Sequence, residues 1–211
     1  MAKPKLRIVN YNIAKMKGDE DAMKETIAKS REGDAEVGAY VFQEVTIDNL
    51  STLQELVGSG YSMGTYTGKG ELSGGAQAIF YRSDMFRETR DTHTDFDTGA
   101  GRRASRWTLR SKKDGGDLYI YGAHLKAFPG EDNEKKRAAG VEAIRQDISS
   151  LPPNARTLVT GDMNFYSDDE PGHKGFIDMG LQRSGRPEQA KPEPEDPLFD
   201  PKLLNIRNIV P

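Results

Sequence analysis

Thr157-Leu158-Val159-Thr160-Gly161-Asp162-Met163-Asn164 is the stretch from which the fold is read. Thr157 to Thr160 is short, apolar and β-branched, the signal of a strand. It runs through one glycine and delivers a carboxylate and a carboxamide. In layered α/β folds the sheet holds such strand-end groups rigidly while the loops beyond open to water. The same pattern recurs upstream. Leu6 to Tyr11 reads as a strand followed by Asn12, and Val37 to Phe42 as a strand followed by Gln43-Glu44. Leu118 to Ala123 reads as a strand that ends on His124.

Helices lie between these strands. Residues 19–31 are weakly amphipathic, with Met23 and Ile27 four apart. Ile47 to Val57 carries Leu50, Leu53, Leu56 and Val57 on one stripe and stops at Gly58 and Gly60. A charged helix over 132–149 places Ala138, Val141, Ile144 and Ile148 on one side, and Pro152-Pro153 ends it. A short helix is expected near 173–179. Further strands are expected over 61–66, 76–82, 103–111 and 117–123, punctuated by Gly74-Gly75 and Asp114-Gly115-Gly116-Asp117. This alternation predicts an α/β (α+β) layered domain. It occupies residues 1–183. Residues 184–211 form a separate tail, because five of the eleven prolines fall within 186–201 among Lys and Glu. That composition predicts poor packing. Leu203 to Val210 is apolar enough for a strand.

The 211 residues suffice for one domain with a sizeable core. Thirty basic and 33 acidic residues give a net charge of −3, which excludes a strongly basic nucleic-acid coat. There is no cysteine, so a disulfide scaffold, a thiol nucleophile and a Cys-ligated metal are excluded. The opening apolar run is too short for a signal h-region and contains Arg7 and Asn10. No run reaches the eighteen or so apolar residues of a membrane span. The expectation is a soluble chain, cytoplasmic or secreted without its signal, and a monomer.

Two carboxylates, two carboxamides and an imidazole at strand ends form a hard, oxygen-rich set suited to Mg²⁺ or Mn²⁺ and a phosphate oxygen. Taken singly, each reads as a turn or cap residue; their coincidence carries the argument. Val9-Asn10-Tyr11-Asn12-Ile13, Phe42-Gln43-Glu44-Val45, Gly122-Ala123-His124-Leu125-Lys126 and Thr160-Gly161-Asp162-Met163-Asn164 together resemble, in order, the motifs of the endonuclease/exonuclease/phosphatase superfamily, the fold of deoxyribonuclease I. The resemblance covers about residues 5–182. It implies a four-layer sandwich of two mixed β-sheets flanked by helices, with a divalent-metal phosphoesterase site acting on a phosphodiester such as nucleic acid. It further implies that Glu44, with Asn12 nearby, meets the metal and that Asp162 orients or deprotonates water. Asn164 would hold that water or a phosphate oxygen, and His124 would act on the phosphate or the leaving oxygen. Arg106 and Lys126 would bind the phosphate.

The family's late Asp-His pair has no counterpart. The histidines are His93, His124 and His173. The last strands are therefore expected to be missing or altered, and turnover weak or absent. A non-catalytic metal- or phosphate-binding member of the fold is the alternative. Arg102, Arg103, Arg106, Arg110, Lys112 and Lys113 fall in twelve residues without an acid. They read as a backbone-tracking strip or as a solvated strand edge. Nothing separates DNA from RNA, a phosphoinositide or a phospholipid. Asp97-Thr98-Gly99 spells the aspartic-protease triplet but has no second copy. The segment from Asp162 fails as a calcium loop, with Ser167 at its sixth position. Asp168-Asp169-Glu170 reads as a solvated loop, and His93 and His173 as surface residues.

Overall fold

The computed structural model describes residues 6–17, 20–33, 36–69, 75–99, 101–183 and 206–207. The proline-rich stretch 186–201 lies outside them. One sheet runs in the order β1 (Leu6–Asn12), β2 (Glu36–Val45), β4 (Ala76–Arg82), β3 (Tyr61–Met63). β1 and β2 are parallel, and the other pairs antiparallel. The second sheet begins with β5 (Phe86–Glu88) and β6 (Thr94–Asp97), which pair with successive parts of β7 (Arg103–Ser111). Then come β8 (Asp117–His124) and β9 (Arg156–Asp162), parallel to each other. β11 (Ile206–Arg207) and β10 (Gln182–Arg183) close the order. The late apolar run thus contributes a strand at residues 206–207.

Side-chain parity sorts these strands into layers, because alternate residues face opposite sides of a sheet. Tyr40, Phe42, Ala78 and Phe80 face outward onto α1 (Glu20–Ser30) and α2 (Leu50–Val57), meeting Met23, Ile27, Leu53 and Val57. Ala104, Tyr121, Ala123 and Val159 face α3 (Glu131–Ser149) and α4 (Pro171–Asp178), meeting Val141, Ile144 and Phe176. Between the sheets lie Ala39, Val41, Ile79, Trp107, Leu109, Ile120 and Leu158. Helices, sheet, sheet, helices: the four-layer sandwich is present. β2 is covered on both faces, which explains its nearly continuous apolar run.

Local chemistry sets the boundaries. Thr46 and Asn49 form a capping box ahead of α2. Glu131, Asp132 and Glu134 in the first turn of α3 complement its dipole, and Pro171 opens α4. Two differences from the sequence reading stand out. β5 and β6 were not expected, because they are short, polar and at the sheet edge, where no apolar alternation marks them. β2 and β9 run on to Val45 and Asp162, so Glu44 and Asp162 lie within strands rather than after them. Among the described residues, no helix is long and apolar enough to cross a membrane.

Candidate active site

The inter-sheet layer changes character along its length. Parity places Ile8, Asn10 and Asn12 of β1 on its side, with Ile120, Gly122 and His124 of β8 and Leu158, Thr160 and Asp162 of β9. It is apolar in the middle and polar at the end where β1, β2, β8 and β9 finish. Gln43 and Asn10 are buried there and joined by a 2.7 Å hydrogen bond from Gln43 Nε2 to Asn10 Oδ1. Gln43 therefore ties β1 to β2 from inside.

Glu44 reaches this end through a defect. By alternation it belongs with Tyr40 and Phe42 on the helix side. The β2–β4 register shifts between Phe42 and Val45, and Glu44 takes φ 58°. The bulge turns its carboxylate into the site. Gly75 makes this possible: a Cβ there would lie 2.6 Å from both Cα and C of Glu44, and Gly75 itself holds φ 91°. Gly75→Ala is expected to cost about 1–3 kcal/mol, read by thermal or urea unfolding, and to displace Glu44. Gly161 is constrained more tightly, since a Cβ there would lie 1.9 Å from the Ala123 carbonyl oxygen. The close approach of β9 to β8 beside Asp162 requires that glycine.

The side chains then meet. Asn12 Nδ2 donates to Glu44 Oε1 at 3.3 Å and to Asp162 Oδ2 at 3.1 Å. Its Oδ1 accepts from the Ala14 backbone at 2.9 Å. His124 sets Nδ1 3.7 Å from Glu44 Oε1 and Nε2 3.5 Å from Asp162 Oδ2. The Asn164 backbone donates to Asp162 Oδ1, and Asn164 Nδ2 to the Leu125 carbonyl. Asp162, His124 and Asn164 are buried, while Glu44 is partly open. Burial, reinforced by the Arg102 guanidinium, pushes the His124 imidazole down to about 3. Backbone strain gathers at this end too. Among the described residues, positive φ outside glycine occurs at Ala14, Lys15, Met16, Glu44, Phe128, Asn154 and Asn164, and all but Asn154 belong to β2 or the loops leaving the site strands.

The structure thus brings Asn12, Glu44, His124, Asp162 and Asn164 together. It does not bring Arg106 there. Arg106 extends to the helix side, where Nη1 donates to Asp147 at 2.6 Å and Nη2 to the Thr92 carbonyl. Arg102 stands at the site instead: it donates to the Leu125 carbonyl, and its charge acts on Glu44, Asp162 and His124. Position was the available signal, since Arg102 directly precedes β7 while Arg106 lies inside it. Lys126 is half-buried two residues past His124, with its carbonyl bound by Arg137.

Part of the remaining basic strip is engaged at the surface by other groups of the chain. Arg110 pairs with Asp117, and Lys112 donates to the Ser83 carbonyl. His173 is buried and His93 is partly buried with its side chain turned inward, so neither is a surface residue. His93 faces Asp95 at 3.2 Å, and His173 Nδ1 lies 3.0 Å from the Asp168 carbonyl. Asp168 and Asp169 are solvated, but Glu170 is buried against Arg137. Asp97 and Thr98 bond within the β6–β7 turn. A separate cleft of about 620 Å³ opens by the start of β2, but its arginines are engaged, Arg31 by Tyr40 and Val57 and Arg82 by Asp84.

Among the described residues, no three His, Asp or Glu side chains are arranged as ligands of one ion. The donor set still suits a hard cation. Two carboxylates approach a single amide nitrogen, a like-charge arrangement that a divalent ion relieves, and Mg²⁺ takes one or two carboxylates while keeping its waters.

The family model described as Endonuclease/Exonuclease/phosphatase family matches residues 9–202, and the chain belongs to that family. Its members are hydrolases acting on phosphate esters. No curated protein matches the chain. Among solved structures, the human Nocturnin catalytic domain with bound sulfate aligns with a TM-score of 0.72 at 20% identity, over 98% of this chain and 82% of that one. A mannosyl-6-phosphatase of Bacteroides thetaiotaomicron gives 0.65 at 18% identity, over 83% and 72%. TDP2 of D. rerio complexed with a single-strand DNA product gives 0.60 at 14% identity, over 82% and 64%. At these identities the shared property is the fold.

Proposed function

We propose that this chain is a divalent-metal-dependent phosphodiesterase of nuclease type, using Mg²⁺ or Mn²⁺. The observation that carries the reading is the junction of Asn12 with both Glu44 and Asp162, 3.3 and 3.1 Å away, beside His124. These groups come from strands far apart in sequence. Glu44, with Asn12 alongside, would hold the cation. A bound divalent ion neutralises charge on the non-bridging phosphate oxygens.

The chain's own groups supply the rest. Asp162 orients the attacking water and takes its proton. Asn164 fixes that water or a phosphate oxygen. His124, neutral at this end of the sandwich, donates an N–H hydrogen bond to the phosphate or to the leaving oxygen. Arg102 and Lys126 add attraction for the phosphate, the task first expected of Arg106. Support for a nucleic-acid substrate comes from the likeness to TDP2, whose structure holds a single-strand DNA product.

A second reading, a non-catalytic member that binds metal or phosphate, is favoured by one observation. Of the three histidines only His124 stands at the site, and the other two bond elsewhere. Incubation with supercoiled plasmid and with bis-p-nitrophenyl phosphate decides between them. The phosphodiesterase reading expects product with Mg²⁺ and none with EDTA, released slowly because the second imidazole is wanting. Metal binding by calorimetry with no product in either assay establishes the second reading.

A further inference from the structure

The site strands continue into two loops that carry exposed aromatic rings. Phe128 follows His124 by four residues, and Tyr166 follows Asp162 by four. They are 68% and 42% exposed. The Tyr166 ring and the backbone that carries Phe128 are held in place. The Phe128 backbone N–H donates to the Tyr166 hydroxyl at 2.9 Å. Phe128 takes φ 75°, strained for a bulky residue. The guanidinium of buried Arg137 lies over the Tyr166 ring, 5.2 Å from its centroid, and Arg137 Nη1 donates to the carbonyls of Lys126 and Phe128. Glu170 binds Arg137 and also accepts from the Tyr166 backbone at 2.8 Å. The buried ion pair braces the Tyr166 ring and the Phe128 backbone, and both rings present apolar surface that folding alone does not require.

We propose that Phe128 and Tyr166 form a stacking platform for a single planar base next to the scissile phosphate. This rests on the phosphodiesterase reading for its place in catalysis, though base binding is measurable without turnover. Two features favour a base over an acyl chain. Only two exposed rings are involved, and the exposed residues Glu131, Asp132, Ser167 and Asp168 that follow them along the chain are polar. Arg106 and Arg110 are paired with Asp147 and Asp117, so neither is left to track the backbone of a long duplex. The substrate class is therefore a short single strand or nucleotide-like ester, recognised through one ring. Stacking is indifferent to the kind of base.

The test uses the full chain and two fluorescein-labelled strands, tetrathymidine and its abasic tetrahydrofuran equivalent. Binding is read by anisotropy in Ca²⁺, cleavage in Mg²⁺. Tetrathymidine should bind about tenfold or more tightly than the abasic strand. Phe128→Ala and Tyr166→Leu should each bring the two strands closer together, and Phe128→Trp should restore the gap. Melting curves confirm that each variant is folded, and Phe128→Ala, at an exposed ring, keeps the test available if Tyr166→Leu is not. Base-dependent binding without cleavage upholds the platform while the phosphodiesterase reading falls. Equal affinity for both strands, unchanged by the substitutions, overturns the platform whatever the activity. Binding to phosphatidylcholine vesicles that both substitutions abolish, without preference between the strands, overturns it in favour of a lipid.

Discussion

Asp162→Asn is expected to lower kcat on bis-p-nitrophenyl phosphate by roughly 10²- to 10⁴-fold, the usual contribution of a positioned acid or base. The change is nearly isosteric. Asp162 is buried, and its two oxygens accept from Asn12 Nδ2 and from the Asn164 backbone. An asparagine oxygen can still accept one of these bonds, so the fold should persist and the melting temperature should move little. What disappears is the negative charge that turns the attacking water and accepts its proton. KM should change much less than kcat, because Asp162 acts on water rather than on the bound ester. Turnover within tenfold of the parent chain, in a variant shown to be folded, removes Asp162 from the chemistry. A parallel loss of stability assigns the residue to holding β1 against β9 instead.

Much of this site is legible from alternation. Ile120 to His124 and Leu158 to Asp162 place their final polar residues in register with apolar residues of the inter-sheet layer, so a strand reading already aims them at one place. Glu44 defeats that logic. Its parity points to the helices, and only the bulge, with φ 58° and the close approach of Gly75, turns it inward. A two-residue motif marks that it matters but not how it arrives. The basic strip misleads for a different reason. Composition counts charges but does not reveal their partners, and Arg106 and Arg110 find Asp147 and Asp117 in the folded chain. The same blindness hides Arg137, Glu170, His93 and His173, whose polar letters suggest solvent. Each side chain turns inward because a specific partner or carbonyl awaits it, and for Arg137 and Glu170 that partner is 33 residues away.

Arg137→Met is expected to cost about 3–5 kcal/mol, the range for removing one partner of a buried ion pair. For a domain of this size that corresponds to a fall in Tm of roughly 6–20 °C. Arg137 is fully buried, its guanidinium meets Glu170 at 2.7 and 2.9 Å, and it also serves the carbonyls of Lys126 and Phe128. Methionine fills the space but leaves a buried carboxylate and two carbonyls without their donor. Adding Glu170→Met should recover only part of the loss. It removes the stranded charge, yet the Tyr166 backbone then loses its acceptor and the Lys126 and Phe128 carbonyls remain unserved. A double variant as stable as the parent would show that the pair contributes nothing beyond its own attraction. A single variant melting within about 2 °C of the parent would show that the loops after His124 and Asn164 are not held by this clamp. Because those loops carry Lys126 and extend directly from the site strands, the expected destabilisation should come with a drop in kcat, read at a temperature where the variant is still folded.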